Sequence, residues 1–382
     1  MPLRIPFNRP YTVGTELAYI DEAIAAGHLS GDGGFTARCS KRLAEMHSVS
    51  RALLTHSCTS ALEMAALLSN VGQGDEVIMP SYTFVSTANA FVLRGTTPVF
   101  VDIRPDTLNI DESLVEDAIT PRTRAVVAVH YAGVGCEMNA LADIARSRGL
   151  LLLEDAAQGV LASYHGRPLG GIGDLGAVSF HETKNVLSGE GGALLLRDDD
   201  FVQRAEILRE KGTNRSAFFR GQVDKYTWVD VGSSFLPSEL TAAFLWAQLE
   251  RADELTERRL AIWNAYHEAF ADLETEGHVR RPVIPPHCTH NAHMYYLLMS
   301  SIGERQRLIR ELAAAGIGAV FHYVPLHDSP AGRKFGRAAS ALPVTTETSE
   351  RLLRLPIWAG LEPYLDEVIA AVRTSVSRGA SS

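Results

Sequence analysis

Features of several protein classes are missing from this sequence, and each absence narrows its function. The four cysteines, Cys39, Cys58, Cys136 and Cys288, are spaced neither like a zinc site nor like a disulfide framework. No apolar run approaches the roughly 20 residues that a membrane span needs. The first residues also lack the apolar stretch of a signal peptide. We therefore expect a soluble, cytoplasmic protein with no membrane partner and no bound metal.

Positive charge is also scarce in this chain. The 382 residues include 36 Lys and Arg against 45 Asp and Glu, which gives a net charge of −9. Proteins that hold nucleic acid present a basic surface, so we expect no nucleic-acid partner. An anionic substrate would need a local cluster of basic side chains. The apolar content of 46% is ordinary for a globular protein.

Short apolar segments alternate with helical patterns between about residues 50 and 200. This alternation predicts an α/β fold, with a mostly parallel seven-stranded sheet between helices. The candidate strands are Ala52–Leu54, Val77–Met79, Val99–Val101, Ala125–Val129, Leu150–Leu153, Ala177–Phe180 and Ala193–Leu196.

The pattern changes in the second half of the chain. Residues 200–236 are polar and contain several basic side chains, and a long helical stretch follows from about residue 238 to 273. Later segments alternate between strand-like and helical patterns, which predicts a smaller C-terminal α+β domain. We place the large domain at residues 1–245 and the small domain at residues 246–382.

Two polar side chains follow directly on two of the apolar strands. Asp155 comes just after Leu150–Leu153, and Lys184 follows Ala177–Phe180. Ligands of open α/β sheets bind outside the carboxyl ends of the strands. An enzyme that uses pyridoxal phosphate (PLP) needs a lysine amine that bonds to the cofactor aldehyde and an aspartate that pairs with the ring nitrogen. Taken alone, such residues are usually a solvated charge and a helix cap.

Other segments fit the same cofactor. Thr59 and Ser60 stand at the start of a helix, where N–H groups and hydroxyls suit a phosphate, and Ser179 can reach the same phosphate. Phe84 could stack on a flat ring, and Gln158 is placed near the ring hydroxyl. Hydroxyl residues at helix starts are usually only caps, so the hypothesis depends on the order of the segments along the chain.

This order of motifs resembles that of the DegT/DnrJ/EryC1/StrS sugar aminotransferases. The matching motifs are Ser57–Thr59, Phe84, Glu154–Gln158, Ser179–Lys184 and Gly189–Gly192, and the resemblance extends from about Ile5 to Ala371. It implies the PLP-dependent aspartate aminotransferase fold (fold type I), with Lys184 as the catalytic residue. It also implies that L-glutamate donates its amine to C4 of dTDP-4-keto-6-deoxyglucose.

The resemblance and the charge pattern suggest further site residues. Ser234 stands where many family members have an Asn that reaches the cofactor phosphate of the neighbouring subunit, so a homodimer is implied. Arg215 and Lys225 lie in the basic segment and are our candidates for the substrate diphosphate. The other candidate substrate-binding residues are His181, Asn185, His322, Tyr323 and His327.

Three rival interpretations compete with this one. A sugar dehydratase of the same fold has His in place of the cofactor-bearing lysine, and Lys184 argues against it. A PLP-binding regulator would need a basic DNA-binding helix, and no segment reads as one. A non-catalytic nucleotide-binding module lacks both G-x-G-x-x-G after the first strand and G-x-x-x-x-G-K-[ST]. The nucleotide base and the configuration at C4 do not follow from residue chemistry.

Overall fold

The computed structural model describes residues 3–380. The strands in this range are β1 (Arg51–Thr55), β2 (Glu76–Pro80), β3 (Thr97–Val101), β4 (Thr123–Val129), β5 (Leu151–Asp155), β6 (Ser163–Tyr164), β7 (Arg167–Pro168), β8 (Leu175–Ser179), β9 (Gly192–Leu196), β10 (Val279–Arg280), β11 (Cys288–Thr289), β12 (Tyr295–Met299), β13 (Arg337–Ala338) and β14 (Leu352–Leu355).

The α-helices of the same range are α1 (Glu16–Ala25), α2 (Gly34–His47), α3 (Cys58–Leu68), α4 (Val85–Val92), α5 (Val115–Ala118), α6 (Met138–Arg148), α7 (Val202–Arg209), α8 (Arg215–Phe219), α9 (Glu239–Glu250), α10 (Ala252–Ala269), α11 (Ala271–Thr275), α12 (Ile302–Ala314), α13 (Pro330–Phe335), α14 (Pro343–Arg351) and α15 (Leu365–Ala380). Short 3-10 helices are Glu112–Leu114, Tyr131–Gly133, Asp199–Phe201, Leu326–Asp328 and Glu362–Tyr364.

The large central sheet has the strand order β1-β9-β8-β5-β4-β2-β3-β13. All seven predicted strands are present, and β9 alone runs antiparallel to its two neighbours. The predicted α/β class with a mostly parallel sheet is confirmed. An eighth strand, β13, adds two residues to the edge beside β3, and a pair of residues is too short to leave a pattern in the sequence.

The central strands are buried on both faces, which explains their unbroken apolar runs. Val77 and Met79 of β2 point to a core shared with α3 and α4. Ile78, between them, points to the opposite core with α5 and α6. The alternation follows from the two-residue repeat of a strand. Helices on both faces leave only the strand ends open to a ligand.

The C-terminal part has its own small antiparallel sheet, in the order β10-β12-β14. Its core includes Tyr266 and Phe270 of α10 and its C-terminal end, packed with Leu297 and Leu353 of the sheet. Ile5 also belongs to this core and pairs with Ile317. The separate core of the C-terminal part supports a second domain. The division after residue 245 remains a proposal, and it falls within α9, whose Leu249 packs in a core of the large sheet.

The long helix predicted for residues 238–273 is wrong in its continuity. The chain leaves helical geometry at Arg251, with φ −115° and ψ 14°, so α9 and α10 are separate helices. Buried residues of α9 pack beside β1 and β9 of the large sheet, whereas those of α10 pack on the small sheet. Two cores in different directions cannot be served by one straight helix, and the break lies where they change.

Candidate active site

The carboxyl ends of β5 and β8 face a cavity of about 610 Å³. Asp155 is the last residue of β5, and Ser179 is the last residue of β8. The turn before α3 and the loop that carries Lys184 close two further sides of this cavity. The residues that the sequence predicted as a group are therefore brought together where parallel sheets bind their ligands.

Asp155 is held in place by bonds within its own chain. Its side chain is only 5% exposed. One carboxylate oxygen accepts a hydrogen bond of 2.7 Å from the Thr87 hydroxyl in α4, and the other accepts one of 3.2 Å from the Ala157 N–H. These bonds fix the carboxylate at the cavity wall. A fixed, buried carboxylate is suited to pair with a protonated ring nitrogen.

Lys184 lies in a closed loop that leaves β8 and returns into β9. The loop is tied by hydrogen bonds from the Phe180 N–H to the Gly191 carbonyl (2.8 Å) and from the Ser188 N–H to the Phe180 carbonyl (2.7 Å). Gly189 has a φ of +80°, which favours glycine. The loop presents the Lys184 side chain to the cavity.

The amine of Lys184 is chemically available. Burial lowers the pKa of Lys184, while Cys58 and Asp155 oppose this shift. Among residues 3–380, no carboxylate lies within 4.0 Å of the Lys184 nitrogen. A lowered pKa raises the neutral fraction of the amine, and only the neutral amine is a nucleophile or a base.

The start of α3 forms a cradle for an anion. The Ser57 hydroxyl caps the helix by accepting a hydrogen bond of 3.1 Å from the Ser60 N–H, and Thr59 bonds the Ser86 hydroxyl at 2.8 Å. Gly192 lies so close that a Cβ there would meet the backbone of Ser57 and Cys58. N–H groups and hydroxyls at a helix start favour a phosphate.

An aromatic wall closes the opposite side of the cavity. The rings of His322 and Tyr323 stack with centroids 3.6 Å apart, and Phe84 lies 6.4 Å from Tyr323. Gln158 joins this wall to the sheet, since its amide donates to the Tyr323 hydroxyl at 3.0 Å and accepts from the Ala132 N–H at 2.7 Å. Phe84 is 57% exposed, which leaves its face open to a planar ligand.

The structure does not place all the predicted residues at the cavity. The predicted residues that line it are Thr59, Phe84, Asp155, Gln158, Ser179, His181, Lys184, His322 and Tyr323. Ser60 is turned toward His56, at 2.9 Å. Asn185 does not line the cavity but bonds His293, which does, at 3.1 Å. His327 bonds the Ser81 hydroxyl at 2.7 Å.

Three further predicted residues lie away from the cavity of their own chain. Ser234 is exposed and pairs with Glu210 in an isolated bridge. Arg215 lies 3.7 Å from the Glu210 carboxylate, beside a separate groove. Lys225 is exposed in the loop after α8. None of these three side chains lines the cavity of its own chain.

Two arginines at the cavity, the buried Arg259 and the half-buried Arg354, were not predicted from the sequence. Arg259 donates to the carbonyls of Ala292 and His293 at 3.1 and 2.7 Å, and burial lowers its pKa to about 9. Both lie far along the chain from Lys184, Arg259 among the charged residues of α10 and Arg354 in the apolar strand β14. Neither position signals a ligand in the sequence alone.

The missed histidines at the cavity are His293 and His130. Burial and then the charge of Lys184 push the pKa of His293 well below its usual value, so its imidazole is neutral near pH 7. His130 is fully buried and bonds the Glu154 carboxylate at 2.7 Å. Glu154 also accepts hydrogen bonds from the N–H groups of Gly170 and Ile172. This network anchors the strand end that carries Asp155.

The residues at the cavity fit PLP. The available amine of Lys184 can bond the aldehyde, Asp155 can face the ring nitrogen, and the α3 cradle can take the phosphate. Within residues 3–380 no group of three or more His, Cys, Asp or Glu side chains is arranged to hold a metal ion. No helix among the described residues has the length and apolarity to cross a membrane.

Comparisons with known proteins agree with this site. A sequence model described as the DegT/DnrJ/EryC1/StrS aminotransferase family matches residues 10–373. The spore coat polysaccharide biosynthesis protein SpsC of Bacillus subtilis is 34% identical over 381 residues, which are 97% of each protein. GDP-perosamine synthase of Caulobacter vibrioides is 34% identical over 378 residues, again 97% of each. The crystal structure of the aminotransferase TlmJ from Streptoalloteichus hindustanus has a TM-score of 0.90 at 32% identity, covering 98% of this chain and 100% of that one.

Proposed function

Because the chain belongs to the DegT/DnrJ/EryC1/StrS aminotransferase family, whose members depend on PLP, we propose that it transfers the amine of L-glutamate to C4 of dTDP-4-keto-6-deoxy-D-glucose. The products are dTDP-4-amino-4,6-dideoxy-D-galactose and 2-oxoglutarate. The observation that carries this proposal is that the available Lys184 amine and the fixed Asp155 carboxylate both lie at one cavity. We expect the reaction in the cytoplasm.

Each residue at the cavity has a separate task in this reaction. The bound cofactor supplies an electron sink for the carbon that loses its proton. The Lys184 nitrogen takes that proton from Cα of glutamate and delivers a proton to C4 of the sugar. Asp155 keeps the ring nitrogen protonated, and the hydroxyls of Thr59 and Ser179 hold the phosphate.

The sugar part of the proposal is supported by motifs shared with dTDP-4-amino-4,6-dideoxygalactose transaminases. These motifs include residues 31–36, 130–133, 180–185 and 322–327. The name of the relative GDP-perosamine synthase points to a GDP-linked sugar. The alternatives are therefore the gluco epimer of the product and another nucleotide keto-sugar. The relative SpsC, named for spore coat polysaccharide biosynthesis, supports a role in making surface polysaccharides.

We also propose that the active unit is a homodimer in which Ser234 completes the cofactor site of the other copy. Ser234 is exposed and lies outside the cavity of its own chain. The same segment exposes Phe219, Tyr226 and Trp228, whose exposed fractions are 69%, 52% and 78%. Exposed aromatics together with arginine are typical of protein interfaces. A loop that folds over its own subunit is the alternative.

Product analysis tests the proposed reaction. The purified holoenzyme is incubated with L-glutamate and dTDP-4-keto-6-deoxyglucose, and the configuration at C4 of the aminated sugar is read by NMR. The galacto product supports the proposal, the gluco epimer supports the first alternative, and no amination of this sugar rejects the assigned acceptor. A yellow protein that bleaches when glutamate is added would also exclude a non-catalytic nucleotide-binding module, which has no PLP to bleach.

A further inference from the structure

We propose that His293 is a positioning residue that accepts a hydrogen bond from the Lys184 ammonium while this group carries the proton between the donor and the sugar. The inference rests on the proposed aminotransferase function. His293 and Lys184 line the same large cavity and also share a narrow cleft of about 10 Å³. The charge of Lys184 is near enough to lower the pKa of His293. The two side chains are therefore neighbours.

The hydrogen-bond network fixes which nitrogen of the His293 ring carries hydrogen. The Asn185 amide nitrogen donates to the Asn291 carbonyl at 2.7 Å, and a carbonyl can only accept. The amide oxygen of Asn185 therefore faces Nδ1 of His293, at 3.1 Å, so Nδ1 is the donor of this bond. Because a neutral imidazole has one N–H, its Nε2 keeps a lone pair. Among residues 3–380, no group donates a hydrogen bond to this Nε2.

The backbone at His293 is held from two sides. Its N–H donates to the Asn291 side-chain oxygen at 3.0 Å, and its carbonyl accepts from Arg259 at 2.7 Å. The Asn291 amide nitrogen donates to the Gln158 carbonyl at 2.8 Å, just after β5. Ala292, between them, is fully buried and has a φ of +51°. Residues with a side chain rarely adopt this left-handed conformation, and they do so most often at functional sites.

The neighbouring groups leave the role of acceptor to His293. Asp155 already accepts two hydrogen bonds and is assigned to the ring nitrogen. Burial raises the pKa of the Cys58 thiol well above its usual value, and a thiol is a weak acceptor. Lys184 gains a proton from Cα and later loses it to C4, so it is an ammonium in between, and a buried ammonium needs an acceptor. The titratable and charged groups that act on Lys184 and His293 are Cys58, Asp155, Arg259, His322 and Arg354.

Two variants separate the lone pair from the ring. His293→Phe keeps a ring and removes the lone pair, whereas His293→Gln removes the ring and keeps a neutral acceptor. Acetic anhydride labels only the neutral amine, so mass spectrometry of Lys184 in the cofactor-free full chain gives the midpoint of its titration. The midpoint should fall by about one pH unit or more in His293→Phe, because a hydrogen bond to a charged group is lost. His293→Gln should stay near the wild type.

The holoenzyme provides a second measurement. The single-turnover rate at which glutamate bleaches bound PLP should fall about 10- to 100-fold in His293→Phe, while the dissociation constant for glutamate stays unchanged. Deuterium at Cα should slow this variant more than the wild type, because the proton transfer has become slower. His278→Phe is the matched control, since His278 pairs with Glu276 and does not line the cavity. It should change neither the labelling midpoint nor the rate.

The inference is overturned if His293→Phe matches the wild type in either assay. It is also overturned if His293→Gln is impaired as much as His293→Phe, because the ring would then serve only in packing. Should His293→Phe not fold, His293→Leu takes its place in both assays. Failure of the proposed function shows separately, as a wild type that glutamate does not bleach, whatever the labelling midpoints are.

Discussion

The cavity at the strand ends and the segment of residues 213–236 are built in opposite ways. At the strand ends, Asp155 and Ser179 are each 5% exposed, and the chain itself supplies their setting. In the segment, Trp228 and Phe219 are 78% and 69% exposed. One chain positions the buried side chains of the first region, whereas the second region has apolar surface that one chain does not cover. We propose that the first region carries the chemistry and that the second mediates assembly and completes the site of the other copy.

The largest expected effect comes from removing the amine of Lys184 at the cavity. Lys184→Ala should lower the rate of amine transfer at least about 10³-fold, because no other amine in the cavity can bond the cofactor or move the proton. Steady-state kinetics measure the loss, and circular dichroism should show an unchanged fold. Lys211→Ala, on an exposed lysine, is the control and should remain active. Activity of Lys184→Ala within tenfold of the wild type would falsify the assignment of Lys184.

Removing the carboxylate should have the next largest effect. Asp155→Ala should lower activity about 10²-fold or more and weaken PLP binding, because an unprotonated ring nitrogen is a poorer electron sink. Activity is measured at saturating PLP, and cofactor affinity is measured by the absorbance of bound PLP during dialysis. Tightly held PLP with undiminished activity would mean that Asp155 serves only to bond Thr87 and the backbone.

The exposed segment is tested by mixing two inactive variants, Lys184→Ala and Ser234→Trp. If Ser234 acts in the other copy, a mixed dimer has one site with both lesions and one intact site. About a quarter of the wild-type activity should then return after random exchange of subunits in a dimer. Each variant alone is the control, and exchange is verified with differently tagged copies. No recovery despite verified exchange contradicts the shared site.

The basic side chains of the same segment should have a smaller effect. Arg215→Gln and Lys225→Gln should raise the KM for the nucleotide sugar about three- to tenfold and leave the KM for glutamate unchanged, because exposed charges are screened by solvent. Arg146→Gln removes an exposed arginine on α6 and is the matched control. An unchanged KM for the nucleotide sugar would mean that this segment is only a solvated loop.

The smallest expected effect concerns the stability of the cofactor-free protein. The folded pKa of Lys184 is lowered by burial, so burying the ammonium costs stability at a pH below the folded pKa. That cost is lost as the pH rises toward about 10.4, the pKa of an unfolded lysine. Lys184→Met without PLP should therefore resist urea better than the wild type at pH 7. The gap should shrink by pH 10, and a constant gap would show that the methionine acts through packing alone.

The sequence predicted the part of the site that follows the strands of the large sheet better than the part contributed by the C-terminal residues. Asp155 and Lys184 were predicted to lie together because polar residues follow apolar strands, and the structure places both at one cavity. The family, the fold and PLP were predicted correctly. Arg354 was missed because a charge in a buried strand has no local signal until the small sheet turns it toward the cavity. The break at Arg251 was missed because helical spacing cannot show that two halves of a helix pack on different cores.

The central claim is that the cavity at the strand ends transfers the amine of glutamate through Lys184. The most direct test gives the PLP holoenzyme ¹⁵N-labelled L-glutamate together with the keto-sugar and follows the label by NMR. The account predicts that ¹⁵N appears at C4 of the sugar with the wild type and not with Lys184→Ala. Labelled amino sugar from the Lys184→Ala protein, or none from a wild type that bleaches with glutamate and binds the sugar, would contradict it.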